Sequence, residues 1–224
     1  MNRLPVPPAI LVLLVLSLDP AAGQTAIQPP LTDLGQSSTS GWEPFNGAKF
    51  EAITENGKPV VRSIPSAGAG DRGAFIAGLD FANGVIEIDL KGSSQPAGSF
   101  LGLVFHGESG TTYDAVYFRP FNFHQSDPTR RDHAVQYMSH PDWDWQRLRK
   151  EKPGVYEARA KPEPGGDEWF HARVEVRDFQ IRVFINQAEE PCLEVTKLSK
   201  STRGKVGLWF NGVASFANLI VDPQ

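Results

Sequence analysis

Phe100-Leu101-Gly102-Leu103-Val104-Phe105-His106 and Thr112-Tyr113-Asp114-Ala115-Val116-Tyr117-Phe118 are two runs of aromatic and branched aliphatic residues, separated by Gly107-Glu108-Ser109-Gly110-Thr111. Such residues fit a pleated surface, and a short polar gap carrying two glycines closes a hairpin, so the stretch predicts a pair of antiparallel strands. Two registers satisfy the spacing. If His106 pairs with Thr112, then Gly102, Val104, His106, Asp114 and Val116 share one face, and Leu101, Leu103, Phe105, Tyr113 and Tyr117 share the other. If His106 pairs with Tyr113, Asp114 falls among Leu101, Leu103 and Phe105. The first register is preferred, because a carboxylate buried among aliphatic side chains without a partner costs several kcal/mol. It leaves space over the sheet at Gly102 and sets His106 beside Asp114 as a polar pair.

Outward from the hairpin the chain turns polar. Arg119, His124, Arg130, Arg131, His133 and Gln136 follow Phe118, and four of the five histidines (His106, His124, His133, His140) lie in this third of the chain. Both a binding site and an ordinary wetted surface fit that concentration, since residue type alone does not separate them. Strand candidates flank the region on both sides, from Lys49 to Leu90 and from Trp169 to Val221, punctuated by Gly, Asn and Pro. In Ile86-Glu87-Ile88-Asp89-Leu90 the apolar residues share one face and the carboxylates the other, and Phe170, Ala172, Val174 and Val176 alternate likewise with His171, Arg173, Glu175 and Arg177. Half-buried strands at short spacing build two antiparallel sheets packed face to face, which predicts an all-β jelly-roll sandwich. One helix is expected after Ser139-His140-Pro141, with Pro141 in the first turn and Trp145 and Leu148 on one face, inside an insertion from Ser139 to about Asp167. Long insertions in compact domains often carry function, and Trp143 and Trp145 offer flat apolar faces suited to stacking on a sugar ring or to pinning the insertion down.

The rest of the chain bounds the setting. Asn2-Arg3, the apolar run Ala9 to Leu18 and the small residues Ala21-Ala22-Gly23 make residues 1–23 a signal peptide, which predicts a secreted or periplasmic protein. That apolar run is shorter than the roughly 20 residues a bilayer span needs, so no membrane span is expected. Residues 24–41 are poor in apolar side chains and read as a flexible linker, leaving 42–224 as one domain. The net charge of −4, without a basic block, excludes the phosphate neutralisation of a nucleic-acid binder. A single cysteine, Cys192, excludes an internal disulfide and reads as a small buried hydrophobe. The first four histidines are spaced 18, 9 and 7 residues apart, unlike a zinc motif, so no metal is expected; calcium held by loop carbonyls leaves no sequence signature.

Asp80-Phe81-Ala82-Asn83-Gly84-Val85-Ile86-Glu87-Ile88-Asp89-Leu90-Lys91-Gly92, Phe105-His106-Gly107, Tyr113 to Phe123, Gly204-Lys205-Val206-Gly207-Leu208-Trp209 and Phe216-Ala217-Asn218-Leu219 together resemble concanavalin A-like lectin/glucanase domains. More narrowly, they look like 3-keto-disaccharide hydrolase-like domains and the related laminin-G-like modules, over about Phe45 to Val221. The resemblance implies a concanavalin A-like sandwich and a carbohydrate partner. It does not extend to family 16 glycoside hydrolases, whose strand reads Glu-x-Asp-x-x-Glu: Glu87 and Asp89 match, but Gly92 stands at the third position. Without that carboxylate the strand lacks the close pair that retaining hydrolysis uses.

Two uses of the polar groups follow. A binding module would present His106, Asp114 and Gln136 on a sheet face, Arg119, His124 and His140 around it, and Trp143 or Trp145 as a stacking platform. An enzyme would use His106 or Asp114 as a general base beside a 3-keto sugar, whose carbonyl acidifies the adjacent C–H. The alternative of another class is a structural or protein-binding laminin-G-like module. In either carbohydrate reading His106 and Asp114 are expected on an open face, walled on one side by the insertion.

Overall fold

Ile86, Ile88 and Leu90 are buried while Glu87 and Asp89 are half-buried, and across the strand boundary Phe170, Ala172 and Val174 pair with Leu90, Ile88 and Ile86. A period of two in the sequence therefore becomes one dry and one wet sheet face. The computed structural model describes residues 25–36, 41–66 and 70–224. In chain order these form β1 (Trp42–Phe45), β2 (Phe50–Glu55), β3 (Lys58–Ser63), β4 (Arg72–Ile76), β5 (Gly84–Lys91), β6 (Ser99–Ser109) and β7 (Thr112–Phe118). There follow β8 (Val135–His140), β9 (Glu157–Ala158), β10 (Phe170–Arg177), β11 (Gln180–Ile185), β12 (Leu193–Thr196), β13 (Lys205–Gly212) and β14 (Ser215–Pro223). The front sheet runs β1-β4-β13-β6-β7-β8-β9 and the back sheet β12-β11-β10-β5-β14-β3-β2, with every pairing antiparallel. This is the jelly-roll sandwich expected from the alternation. Its core lies between the sheets, where Phe118 of β7 meets Phe170 of β10 edge to face at 5.1 Å and Phe123 meets the same ring at 5.3 Å.

The hairpin takes the register that the sequence reading set aside. Leu101 pairs with Phe118, Leu103 with Val116 and Phe105 with Asp114, so the Asp114 carboxylate points between the sheets. The ladder then slips between Phe105 and Ser109, and His106 has a φ of 47°. A bulge of this kind re-aims the side chain it carries. It brings His106 to the same interior as Asp114, and both are 1% exposed.

The segment read as a flexible linker is also different. Ile27 bridges Val221, Leu31–Gly35 form a 3-10 turn with Leu34 buried, and Trp42 Nε1 donates to Pro30 O at 3.2 Å, so 25–36 pack on the sandwich. A handful of apolar side chains suffices when a sheet edge offers them a surface. The expected signal peptide, Gln24 and residues 37–40 lie outside the described residues. The expected helix forms as α2 (Trp145–Glu151), but later than Pro141: Asp144 caps it, its Oδ1 accepting from Arg147 N at 2.7 Å. A shorter helix, α1 (Pro128–Arg131), precedes β8. No helix among the described residues is long and apolar enough to cross a membrane.

Candidate functional site

One row of paired residues crosses the outer face of the front sheet: Phe45, Gly73, Trp209, Gly102, Tyr117, Gln136 and Glu157. Glycine between bulky neighbours lets their rings lean inward. Trp209 and Tyr117, two strands apart, meet over Gly102 with ring centroids at 4.6 Å. A Cβ on Gly102 would stand 2.1 Å from Val116 O and 2.6 Å from Tyr117 Cα, so the close approach needs glycine there.

Above this row lies a cavity of about 460 Å³. Tyr117, Trp209, Phe100 and Met138 give it apolar walls, Trp145 and Arg149 of α2 enclose it from the insertion, Asp71 and Asn211 line it on the β4 side, and Arg119, Arg130 and His133 on the β9 side. Asp71 is held in place: its Oδ2 accepts from Tyr113 Oη at 3.2 Å and lies 3.2 Å from His140 Nε2, and its Oδ1 accepts from Asn211 Nδ2 at 3.4 Å. Trp209 Nε1 donates to Tyr113 Oη at 3.1 Å, which extends the chain of bonds to the stacked rings. Burial, then the charge of Asp71, pushes the Tyr113 phenol far above its ordinary value, so Tyr113 stays a donor.

On the other side Arg119 acts as a strut. Nη2 donates to Tyr117 Oη at 2.7 Å and Gln136 Oε1 at 2.6 Å, and Nη1 donates to His133 O at 2.6 Å and Glu157 Oε1 at 3.4 Å. Those bonds orient Gln136, because turning its amide over would aim N–H groups at a guanidinium that only donates. Its Nε2 is buried without a hydrogen-bond partner among the described residues. Arg149 donates through Nε and Nη2 to Glu157 and lies 5.0 Å from the Trp145 ring centroid.

The expected site residues divide accordingly. Arg119 and Trp145 line the cavity, Gln136 lies on the same face against Arg119, and His140 positions Asp71. His106 and Asp114 are brought together, Nδ1 to Oδ2 at 3.6 Å, but inside the sandwich rather than on an open face. There Asp114 accepts from Tyr137 Oη at 2.7 Å and Ser199 Oγ at 2.5 Å, with Lys197 Nζ at 3.5 Å from Oδ2. His106 Nε2 donates to Ala82 O at 2.7 Å, and its Nδ1 lies 3.1 Å from Lys197 Nζ. His124 is exposed, 3.8 Å from Glu163 and away from the cavity lining. Trp143 packs against the core with Arg147 over its ring at 4.1 Å, which pins the insertion, and it lies outside the cavity lining. Asp71, Tyr117, Trp209 and Arg149 escaped the sequence reading. Tyr117 and Trp209 could have been found by asking which aromatics face a glycine across the sheet; Asp71 comes from the segment before β4 and carries no local signal.

No family model matches the chain, and no curated protein matches it in sequence. Solved structures do match in shape. A carbohydrate-binding module, CBM66 from Bacillus subtilis, superposes with a TM-score of 0.54 at 12% identity, covering 80% of this chain and 93% of that one. A native glycosidic hydrolase gives a TM-score of 0.51 at 14% identity over 88% and 94% of the two chains. The exoplasmic/lumenal domain of VIP36, bound to Ca2+ and Man3GlcNAc, gives 0.52 at 11% identity over 88% and 86%. Among the described residues of this chain, no group of three or more His, Cys, Asp or Glu is arranged to hold a metal ion. Identities this low speak for architecture rather than chemistry. The two seven-stranded antiparallel sheets and these likenesses make the chain a protein of the concanavalin A-like lectin fold.

Proposed function

We propose that the protein binds a carbohydrate in the cavity on the outer face of its front sheet. The observation that carries this is the composition of the cavity: apolar walls from Tyr117, Trp209, Phe100 and Trp145 between polar groups at opposite sides, in a volume of about 460 Å³. A pyranose has the matching character, an apolar C–H face and a rim of hydroxyls, and small-molecule sites are commonly about 300–1,000 Å³. Trp145 is 42% exposed at the edge of this cavity, where an unburied indole gains by covering a ring. Binding is favoured over two-carboxylate hydrolysis because, among the described residues, Asp71 is the single carboxylate lining the cavity. Glu157, the nearest alternative, is buried beneath Arg119, Arg149 and His133. The same reading puts the protein outside the cytoplasm, on the strength of the N-terminal apolar run; N-terminal sequencing of the exported product tests that part.

The test is a titration of intrinsic tryptophan fluorescence against a panel of oligosaccharides, for the parent and for Trp145→Ala. We expect at least one binder, with affinity reduced about tenfold or more in the variant. The melting temperature should stay within a few degrees, as exposed positions usually change stability by about ±0.5 kcal/mol. A panel without binders, or a variant that binds as the parent does, overturns the proposal.

A further inference from the structure

We infer that the sugar this cavity takes is acidic, its carboxylate held on the β9 side by Arg130 and Arg149; the inference rests on the carbohydrate-binding reading above. The first argument is charge. Arg119, Arg130 and Arg149 line that side, and the carboxylate paired with two of them, Glu157, is already shared by Arg119 and Arg149. Three guanidiniums against two carboxylates, Glu157 beneath that side and Asp71 across the cavity, leave one positive charge in excess on the β9 side, although the chain as a whole carries −4. Low-dielectric walls focus such an excess on an anionic ligand. The neighbouring basic groups do not share this: Arg131 lies 3.8 Å from Glu163, and Arg159 donates to Asp132 at 2.8 Å.

The second argument is unused donors. Arg130 has no side-chain partner among the described residues, and Arg149 engages Glu157 through Nε and Nη2 only, leaving Nη1 unbonded. The Arg149 guanidinium lies 5.0 Å from the Trp145 ring centroid, a cation–π contact that ties it to the edge of the cavity. Planar guanidinium forks match planar carboxylates, the geometry of a uronic acid's C6 group. The third argument is polarity across the cavity. Asp71 and Asn211 on the β4 side offer acceptors for hydroxyl hydrogens, while the charged groups of the β9 side, Arg119, Arg130 and Arg149, are all donors. A sugar acid carries hydroxyls around one part of its ring and a pure acceptor on another, and it satisfies both sides at once.

The test uses the full chain and isothermal titration calorimetry at low ionic strength. The probes are oligomers of galacturonate, mannuronate, guluronate and glucuronate, each paired with its carboxyl-reduced counterpart, in which the ring is unchanged and the charge is gone. A matched oligomer of neutral sugars esterified with sulfate at O6, which is anionic but lacks a carboxylate, is included. We expect at least one uronate to bind about tenfold or more tightly than its reduced counterpart, with affinity falling as salt rises. Arg130→Gln should erase that preference, while Arg177→Gln on the back sheet should leave it unchanged. Arg130 is exposed and unpartnered, so this variant keeps the fold; Arg149→Gln, which also frees Glu157, provides the second reading at the same site. Reduced oligomers bound as well as the uronates overturn the inference and leave the carbohydrate reading standing. A preference for the sulfated oligomer, or one that survives both arginine variants, overturns the assignment of the carboxylate. If neither charged nor neutral sugars bind, the carbohydrate reading itself falls and takes this inference with it.

Discussion

Replacing Asp114 by Asn removes one charge from a cluster sealed between the sheets, while barely changing its volume. The carboxylate accepts from Tyr137 and Ser199 and faces Lys197 Nζ at 3.5 Å, and the Lys197 and Asp114 side chains are both 0% exposed. An amide would keep one acceptor for Tyr137 but turn an N–H group toward Ser199 and Lys197, leaving the ammonium without its counter-charge. Removing one partner of a buried pair costs about 3–5 kcal/mol, a large share of the roughly 5–15 kcal/mol that holds a domain together. At about 2–4 °C per kcal/mol for a chain of this size, the melting temperature should fall by roughly 10 °C. Thermal unfolding followed by circular dichroism measures it directly. Lys197→Met should cost a similar amount, and the double variant less than the sum, with a coupling of about 0.5–3 kcal/mol. The pH dependence has a definite sign. Burial pushes the Asp114 carboxyl up, but its contacts with His106, Ser199 and Tyr137 and the charge of Lys197 outweigh that and hold it below the usual carboxylate value. A folded-state value below the unfolded one, about 3.9, means stability that is present above it and lost as pH falls through the folded value. Asp114→Asn should therefore lose that part of the acid sensitivity. A variant that melts within about 2 °C of the parent would mean the carboxylate is not buried in this cluster, and the register of β6 on β7 would be wrong.

The outer face offers a second test: Gly102→Ala places a methyl 2.1 Å from Val116 O, so a neighbouring strand must move, and denaturant unfolding should show a loss of about 1–3 kcal/mol. Unchanged stability would contradict the meeting of Trp209 and Tyr117 over that glycine. Burial pushes the Cys192 thiol up to about 11, so at pH 8 alkylation by iodoacetamide should run roughly 100-fold slower in the native protein than in the unfolded chain. Labelling at similar rates would refute this. On the back sheet, the hydrogen bond that His171 Nδ1 donates to Asp89 Oδ1 at 2.8 Å, against partial burial and with Glu87 nearby, raises the pKa of His171. Its contribution to stability is full below the unfolded value of about 6.5 and is lost as pH rises through the folded value, so a melting profile from pH 5 to 9 should flatten in His171→Gln. Parallel profiles for parent and variant would count against the pair.

What could be read along the chain was whatever a single strand declares by itself. Ile86, Ile88 and Leu90 announce a dry face in five residues, and two such sheets closing on each other follow from that period alone. The cost of burying Asp114 without partners favours the other hairpin register, and the fold avoids that cost with partners the local sequence does not show. Ser199 arrives from 85 residues downstream, and Lys197 comes with it on the segment after β12. Neither declares its destination in its own neighbourhood. His106 then defeats alternation outright, since a residue with a φ of 47° in a slipped ladder no longer obeys the period that predicted its face. The cavity is harder still to read, because its defining row runs across the chain instead of along it. Gly73, Trp209, Gly102 and Tyr117 come from β4, β13, β6 and β7, and each is unremarkable where it stands in the sequence. Only the strand order sets a glycine between each pair of large rings, and only that order puts Arg119 beside Gln136. Trp145 was legible because an aromatic on an insertion is conspicuous without any pairing. Asp71 was not, because its role is assigned wholly by Tyr113, His140 and Asn211, which reach it from three other strands. Evidence for a ligand in this fold therefore has to be sought in rows perpendicular to the strands, where the glycines mark the room and the aromatics mark what fills it.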